Sequence, residues 1–299
     1  MDLFQERDWM KRLRDKLLIV ICGDQAEKES VYADIGCCYQ CYAPAFLYKY
    51  YSDSPQNLEN VKNNKMWYSA PSKFNDVFDC DITIDEKRIF DSILKMCPSA
   101  QSVRAGSPMW LTLKGQAKQS AKTMSELFSR MRSEMGIACL SESDDSLLMW
   151  AHYANSHRGM CVEYELLEIN QQLMFTPVPI IYSEDRVCFD SLNTSTIEED
   201  TTRLFLENLT TKSPQWSYEK EWRIIRDDSA CGDDWDSDKK GALLNMIRPR
   251  SIILGCMANP DFEKQVYTYC DKNRINLFKM ERDSQKYQLI KKPLLQFYD

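Results

Sequence analysis

Glycine and histidine are scarce in this chain of 299 residues, and their scarcity excludes several enzyme classes. The nine glycines amount to about half of the usual share of ~7%. No two of them have the spacing of a G-x-G-x-x-G dinucleotide fingerprint or a G-x-x-x-x-G-K-[ST] phosphate loop, and a G-x-S-x-G nucleophile elbow is missing. The two histidines, His152 and His157, are too few for a multi-histidine metal site or an H-E-x-x-H motif. Any histidine chemistry must therefore involve these two positions.

Long apolar runs and an excess of basic residues are missing too. The longest apolar run, Leu17–Cys22, is far shorter than the ~20 residues that span a bilayer. Acidic Asp2 and Glu6 are unlike the start of a secretory signal. The 38 Lys and Arg are outnumbered by 45 Asp and Glu, which argues against coating nucleic acid or an anionic membrane. We therefore expect a cytoplasmic protein with no membrane partner and no strong nucleic-acid signal.

Twelve cysteines are spread from Cys22 to Cys270 in a chain without an export signal, so we expect reduced thiols. The one dense group consists of Cys22, Cys37, Cys38 and Cys41. A four-thiolate zinc site needs two chelating pairs, and only Cys38-x-x-Cys41 has the usual spacing. Ordinary buried thiols are the favoured interpretation because free cysteine behaves as a small hydrophobe. Whether this group binds metal stays open at this point.

The pattern of apolar residues predicts an α+β fold with mixed, mainly antiparallel sheets and helical insertions. Residues 1–45 form a predicted N-terminal helical extension, and residues 46–299 a single α+β domain with a helical insertion at about 86–135. Predicted strands cover 47–50, 66–69, 137–141, 160–165, 180–182, 219–225, 251–256, 275–281 and 287–291. The aspartate-rich stretch 227–240 is predicted to be a mobile surface loop.

The segment 144–159 predicts an aromatic helix that contains both histidines. Asp145 or Ser146 can cap its start, and Gly159 can end it in the left-handed conformation. A helix that reaches residue 157 puts an aromatic stripe on one face and His152 on the neighbouring face; the stripe is Trp150, Tyr153 and His157. The alternative is a core-facing helix whose histidines are simply hydrogen-bonded.

The segment Trp216–Ile225 predicts a strand with Glu219, Glu221 and Arg223 on one face. Two carboxylates beside a guanidinium can bind a sugar and stabilise positive charge that develops on an anomeric carbon. The alternative is a solvated strand face with cross-strand salt bridges, which spacing alone favours.

The segment Trp67–Cys80 contains Asn75 and Asp76, whose short side chains can bond their own backbone. A structural turn locked by Phe74 and Phe78 is therefore the default, with a substrate-positioning role as the alternative.

Together these segments resemble the bacterial domain-of-unknown-function family 2971 over about residues 46–292. The resemblance lies in 47–50, 67–79, 148–163, 218–223 and 253–255. The chain has Val77 where the family usually has proline. The family name confers no activity.

The order of the same motifs resembles the ADP-ribosyltransferase arrangement, including its split β-core. The resemblance implies that NAD is the substrate and that Tyr48 or Lys49 holds its nicotinamide or a phosphate. Tyr68 and Ser69 would shape the nicotinamide pocket. Glu221 would accept the hydroxyl of the nicotinamide ribose, and Glu219 would orient the acceptor. The first strand has neither the usual Arg nor His, and the hydroxyl strand lacks Ser-Thr-Ser.

Two other classes stay open. One is a hydrolase or nuclease in which His152 or His157 acts as general acid or base beside Glu163, Glu221 or Asp76. The other is a binding or regulatory module without catalysis, whose aromatic cleft holds a peptide or small ligand. The predicted binding residues shared by these hypotheses are Asn75, Asp76, Trp150, Tyr153 and Arg223, with no metal ligand among them.

Overall fold

The computed structural model describes residues 3–96, 103–173, 176–189, 197–227 and 231–297. Its helices are α1 (Leu3–Cys22), α2 (Gln25–Tyr42), α3 (Pro55–Lys62), α4 (Glu86–Met96), α5 (Pro108–Glu134), α6 (Leu147–Tyr153), α7 (Leu166–Leu173), α8 (Ile197–Leu209) and α9 (Pro260–Asn273). Short 3₁₀ helices cover Pro71–Lys73, Pro214–Glu219 and Gly232–Asp234.

The strands are β1 (Phe46–Tyr51), β2 (Lys65–Ser69), β3 (Thr83–Ile84), β4 (Gly136–Ser141), β5 (Met160–Glu165), β6 (Val178–Pro179), β7 (Ile181–Tyr182), β8 (Cys188–Phe189), β9 (Thr211–Lys212), β10 (Glu221–Arg226), β11 (Trp235–Asp236), β12 (Gly241–Asn245), β13 (Ser251–Leu254), β14 (Asn276–Arg282) and β15 (Leu289–Leu295). The chain contains both helices and a mixed, mostly antiparallel open sheet, which confirms the predicted α+β class.

Internal contacts divide the chain into two compact units. The helical unit consists of 1–43, 70–135 and 181–214, and the sheet unit consists of 44–69, 136–180 and 215–299. The domains predicted at 1–45 and 46–299 were meant as parts of the chain that fold independently. These compact units do not test independent folding, so the two domains stay a prediction.

The helical unit buries a small apolar core between α4 and α5, centred on Ile89, Ala117 and Phe189. Charged groups support it: Asp81 pairs with Arg132 at 2.9 Å and with Arg186 at 2.6 Å. Salt-linked side chains therefore tie α5 to the segments around β3 and β8.

The sheet unit contains a large sheet in the order β11-β12-β2-β4-β1-β5-β13-β14-β15, to which β10 and β6 are added beside β4. Among the described residues of this sheet, β13 and β14 are the one parallel pair, and α9 connects them. Strand β4 pairs with β10 along its whole length, but it pairs with β1 only at Ser141 and with β2 only at Ile137. The sheet therefore opens between β1 and β2.

Several predicted boundaries were wrong, and each error has a local cause. The predicted strand at 219–225 begins only at Glu221, because Lys220 takes a left-handed φ of 43°. The predicted loop at 227–240 contains β11, which pairs with the unpredicted strand β12; residues 228–230 lie outside the described chain. A Cβ on Gly241 would lie 2.4 Å from the ring of Trp67, so close packing explains a glycine at the start of β12.

The described cysteines, which do not include Cys97, form no disulfide. Four of them are buried: Cys80, Cys161, Cys231 and Cys270. The expectation of buried thiols is wrong for the N-terminal group, since Cys22, Cys37 and Cys41 are exposed and Cys38 is half-buried. Helix α2 buries only Val31, so it offers these thiols no core.

None of the described helices combines the length and the apolar content needed to span a lipid bilayer.

The close approach of β1 to Gly159 predicts a large effect of a single methyl group. A Cβ at Gly159 would lie 1.9 Å from the carbonyl oxygen of Tyr51. We expect Gly159→Ala to lower the free energy of unfolding by about 3 kcal/mol, since backbone must move to admit it. Urea denaturation measures this value.

The matched control is Gly115→Ala in α5, where an added Cβ meets nothing within 4 Å. This variant should be more stable than the wild type by about 0.5–1 kcal/mol, because alanine is the better helix former. Equal stabilities of the two variants would contradict the packing at Gly159.

Candidate functional site

One face of the sheet unit carries a row of polar side chains across four neighbouring strands. Glu163 of β5 lies opposite Tyr48 of β1, which lies opposite Ser141 of β4. Ser141 in turn lies opposite Glu221 of β10. Paired residues point to the same face, so these four side chains form what we call the polar row. Within it, the Tyr48 hydroxyl donates to Glu163 Oε2 at 3.0 Å.

Glu221 is held by Arg223, two residues later on the same face of β10. Arg223 Nε donates to Glu221 Oε1 at 2.7 Å, and Arg223 Nη2 donates to Oε2 at 3.2 Å. Only 4% of Glu221 and 0% of Arg223 is exposed. A buried carboxylate needs such a partner to stay ionised, and the two-point contact fixes its orientation. Glu221 and Arg223 therefore lie on one face of β10, as the sequence predicted.

Burial and the two carboxylates of the polar row raise the pKa of Tyr48 and of the neighbouring Cys139. Burial, and then the charge of Glu163, raise the pKa of Tyr48 well above its ordinary value. Burial, and then the charge of Glu221, raise the pKa of Cys139 in the same way. Tyr48 therefore stays a hydrogen-bond donor at neutral pH, and Cys139 stays a thiol rather than a nucleophilic thiolate.

Glu219 lies in the 3₁₀ helix before β10 and not on the strand, so the two carboxylates do not share a strand face as predicted. Its side chain is only 3% exposed, and Oε1 accepts the Tyr153 hydroxyl at 2.6 Å. Its carbonyl oxygen accepts the Ser141 hydroxyl at 2.6 Å. The structure thus connects Glu219 to the polar row through Ser141 and to α6 through Tyr153.

Helix α6 begins as predicted after Ser146, whose hydroxyl accepts the N–H of Met149. Trp150 is fully buried against Tyr50, and its indole donates to the Asp144 carbonyl at 2.7 Å. His152 is exposed, with its ring 6.3 Å from that of Tyr153. Trp150 therefore fixes the helix, and Tyr153 links it to Glu219.

The helix ends at Tyr153, and the predicted extension to residue 157 is wrong. Asn155, Ser156 and His157 instead take φ values of 46°, 53° and 65°, a run that non-glycine residues rarely adopt. The turn is held by the N–H of His157, which donates to the Trp150 carbonyl at 3.0 Å. Gly255 is required opposite it, since a Cβ there would lie 2.1 Å from the His157 oxygen.

The His157 ring lines a pocket of about 600 Å³. Its wall also includes Met257, Arg282, Lys286 and Tyr287, whereas Glu221 is not among the described residues that line it. The ring lies parallel to Trp150 with centroids 6.5 Å apart. Its Nδ1 is buried without a hydrogen-bond partner in the described chain, and burial lowers the pKa of the imidazole.

The other predicted residues of the sheet unit lie near the opening between β1 and β2. Lys49 Nζ donates to the Cys139 carbonyl at 2.8 Å. Tyr68 is fully buried, its hydroxyl has no partner among the described residues, and burial raises its pKa to about 12. Ser69 is half-buried opposite Ile137. Since Lys49 and Tyr48 are adjacent in a strand, their side chains leave opposite faces of it.

Asn75 and Asp76 belong to the helical unit. Asn75 is exposed, and the buried Asp76 accepts the N–H of Phe78 at 2.9 Å, which is the predicted self-bonded turn. Phe78 is 59% exposed and so does not lock the turn as predicted; it stacks instead under the guanidinium of Arg186.

The sequence hypothesis missed Ser141. This residue bonds the carbonyl of Glu219 and lies between Tyr48 and Glu221 in the register. The available signal was a serine that ends the apolar run Ile137–Leu140. Only the pairing of strands, which the run does not reveal, brings it to the site.

The Nδ1 atom of His157, which is buried without a hydrogen-bond partner among the described residues, predicts a pH-dependent loss of stability. Its folded-state pKa is lowered, so the unfolded chain binds the proton more tightly, and stability falls as pH drops below the ordinary histidine value of about 6.5. We expect His157→Gln to unfold at a temperature that changes less than that of the wild type between pH 7.5 and 5.5. The matched variant His152→Gln should keep the wild-type change. If both variants lose the change in unfolding temperature equally, His157 is not the source of that change.

Comparisons with known proteins identify one family. Residues 149–224, about a quarter of the chain, match the family described as a protein of unknown function (DUF2971). The match covers α6 from Met149 onward, the left-handed turn, β5 and most of β10. Neither a curated protein nor a solved structure matches the chain. The predicted resemblance to family 2971 is thereby confirmed over the region that carries Tyr153, Glu219, Glu221 and Arg223.

Proposed function

We propose that the chain cleaves the bond between nicotinamide and ribose in NAD, as an ADP-ribosyltransferase-like enzyme or an NAD glycohydrolase, with Glu221 as the catalytic carboxylate. The observation that carries this proposal is the buried, two-point contact that Arg223 makes with Glu221 in line with Ser141 and Tyr48.

The chemistry explains why that contact matters. Loss of nicotinamide leaves positive charge on the ribose, and a fixed negative group stabilises this charge in the transition state. A buried, isolated carboxylate would take up a proton, whereas the guanidinium favours the charged form. Arg223 acts as a positioning residue that keeps Glu221 ionised and oriented.

The surrounding groups supply contacts to the donor. The Tyr48 and Ser141 hydroxyls belong to the row and suit the hydroxyls of a ribose, since each can donate and accept a hydrogen bond. Lys49 leaves β1 on the face opposite to Tyr48, so its positive charge would meet a phosphate only at the opening between β1 and β2, where its Nζ lies on the Cys139 carbonyl. That opening also supports the likeness to the split sheet of ADP-ribosyltransferases. Glu219, held by Tyr153, is assigned to the acceptor.

The test is the rate at which the purified protein releases nicotinamide from NAD. We expect Glu221→Gln to lower this rate by about 100-fold or more, because the amide keeps the shape and removes the charge. Glu165→Gln is the matched control, since Glu165 is a half-buried carboxylate at the end of β5 outside the polar row. The control should keep the wild-type rate.

A double variant separates catalysis from folding. Glu221→Gln breaks the buried ion pair with Arg223, and breaking a buried pair lowers stability. Glu221→Gln/Arg223→Gln removes both charges and should regain much of that stability without regaining activity. Recovery of activity in the double variant, or a wild type that releases no nicotinamide, would refute the assignment.

A second candidate function, binding of a small anionic molecule without catalysis, is favoured by the pocket beside His157. Arg282 and Lys286 bring positive charge to its wall, and Tyr287 offers a fully exposed ring. Asp283 in the same wall keeps its negative charge, because the N–H groups that it accepts from Gln285 and Lys286 lower its pKa; it therefore offsets one of the two positive charges and leaves the other. The volume suits a nucleotide-sized ligand.

This candidate predicts a shift in thermal unfolding with ATP as the probe. A ligand that binds only the folded state raises the unfolding temperature, and Arg282→Gln/Lys286→Gln should abolish the rise. Lys292→Gln, an exposed cation on β15, is the control that should keep it. An equal rise in all three proteins would place ATP elsewhere.

A further inference from the structure

The C-terminal end of α2 presents two thiols side by side in solvent. Cys37 and Cys41 are one helical turn apart, both are exposed, and their sulfur atoms are 3.8 Å from each other. Neither thiol serves the apolar core, since Val31 is the buried residue of this helix. This pair lies outside the region that matches the known family.

The backbone that carries the pair is fixed on both sides. The Asp24 carboxylate accepts the N–H of Glu27, in a capping box that begins α2. Near its end, Tyr42 stacks on Trp9 of α1 with ring centroids 5.5 Å apart and an interplanar angle of 14°. Between them, Lys16 of α1 contacts Asp34. The two thiols therefore project from a helix whose position on α1 is set by other residues.

The separation of the sulfurs matches the geometry of a chelated metal ion. Two thiolates on a tetrahedral Zn²⁺, with Zn–S bonds of about 2.3 Å, lie about 3.8 Å apart. A disulfide would require the same sulfurs to approach to about 2.05 Å. The Cys37-x-x-x-Cys41 spacing, which the sequence-based interpretation left aside, also lies within the range of zinc-chelating pairs. The two thiols form a hydrogen bond at 3.8 Å, and this separation is also the one that a tetrahedral cation requires.

We propose that Cys37 and Cys41 form a two-thiolate chelate for a thiophilic divalent cation of the Zn²⁺ class. On binding, each thiol releases its proton and forms one sulfur–metal bond, and no atom is oxidised or reduced. No group of three metal-ligating side chains occurs in the described part of the chain, so water completes the coordination. The site is independent of the proposed NAD chemistry in the sheet unit.

Cd²⁺ binding to the reduced, full-length protein tests this chelate. We expect one Cd²⁺ per chain, seen as an ultraviolet thiolate-to-cadmium charge-transfer band. Bound Cd²⁺ should protect two of the thiols that react fastest with Ellman's reagent in the folded protein. Zn²⁺ should displace Cd²⁺ and remove the band while the same two thiols stay protected.

Three variants make the result specific. Cys37→Ser/Cys41→Ser should lose the band, and Cys37→Ser alone should weaken binding at least tenfold, because a single thiolate does not chelate. Cys22→Ser is the matched control, an exposed cysteine at the end of α1 that should leave binding unchanged. Circular dichroism checks that each variant is folded.

Wild-type affinity in Cys37→Ser/Cys41→Ser, or loss of the band in Cys22→Ser, would overturn the proposal. So would a wild type whose two fast thiols stay reactive with Cd²⁺ present. Glu221→Gln should bind Cd²⁺ like the wild type, so failure of the NAD assay and failure of this site are separate outcomes.

Discussion

The buried ion pair between Glu221 and Arg223 is the constraint on which the polar side of the sheet unit depends. Both charges are buried, and a buried ion pair is costly to break. A shift of β10 by one residue would move both charges to the face that carries Trp222 and Ile224. The pair therefore fixes the register of β10 on β4, and with it the alignment of Glu221, Ser141 and Tyr48.

That register has consequences for α6, a helix of seven residues that is too short to be stable alone. Tyr153 reaches Glu219 at one end of the helix, and Trp150 packs against Tyr50 of β1. The left-handed turn after it is closed by the N–H of Met257, which donates to the His157 carbonyl at 2.9 Å. The helix is thus stabilised by β1, by the 3₁₀ helix before β10 and by the segment after β13 rather than by its own length.

Most of the sheet could be predicted from the sequence because apolar alternation is a local signal. β1, β2, β4 and β5 lie where the pattern places them. The prediction failed where non-glycine residues take a left-handed backbone, at Lys220 and at 155–157. No local signal marks those positions, since the space for His157 comes from a missing side chain at distant Gly255.

In the candidate site, too, some features follow from neighbouring residues in the sequence and others from residues far away in it. The spacing of Glu221 and Arg223 places them on one face, and their contact follows from that spacing. Ser141, by contrast, enters the site through strand pairing, which a single sequence does not display. The N-terminal thiols were misassigned because cysteine resembles a small apolar residue in composition, whereas α2 has no core to bury it.

The left-handed residue Lys220 makes the two neighbouring carboxylates chemically unequal. It takes Glu219 out of the strand, so that Glu219 accepts a neutral phenol while Glu221 faces a guanidinium. Hydrogen bonds to a charged donor are about twice as strong as those to a neutral one, and they favour the ionised carboxylate more. Under the proposed function, the carboxylate beside Arg223 is therefore the one suited to a constant negative charge at the donor sugar. Glu219 accepts the Tyr153 hydroxyl of α6, and under the proposed function it faces the incoming acceptor. A single backbone torsion thus places two neighbouring carboxylates in different surroundings.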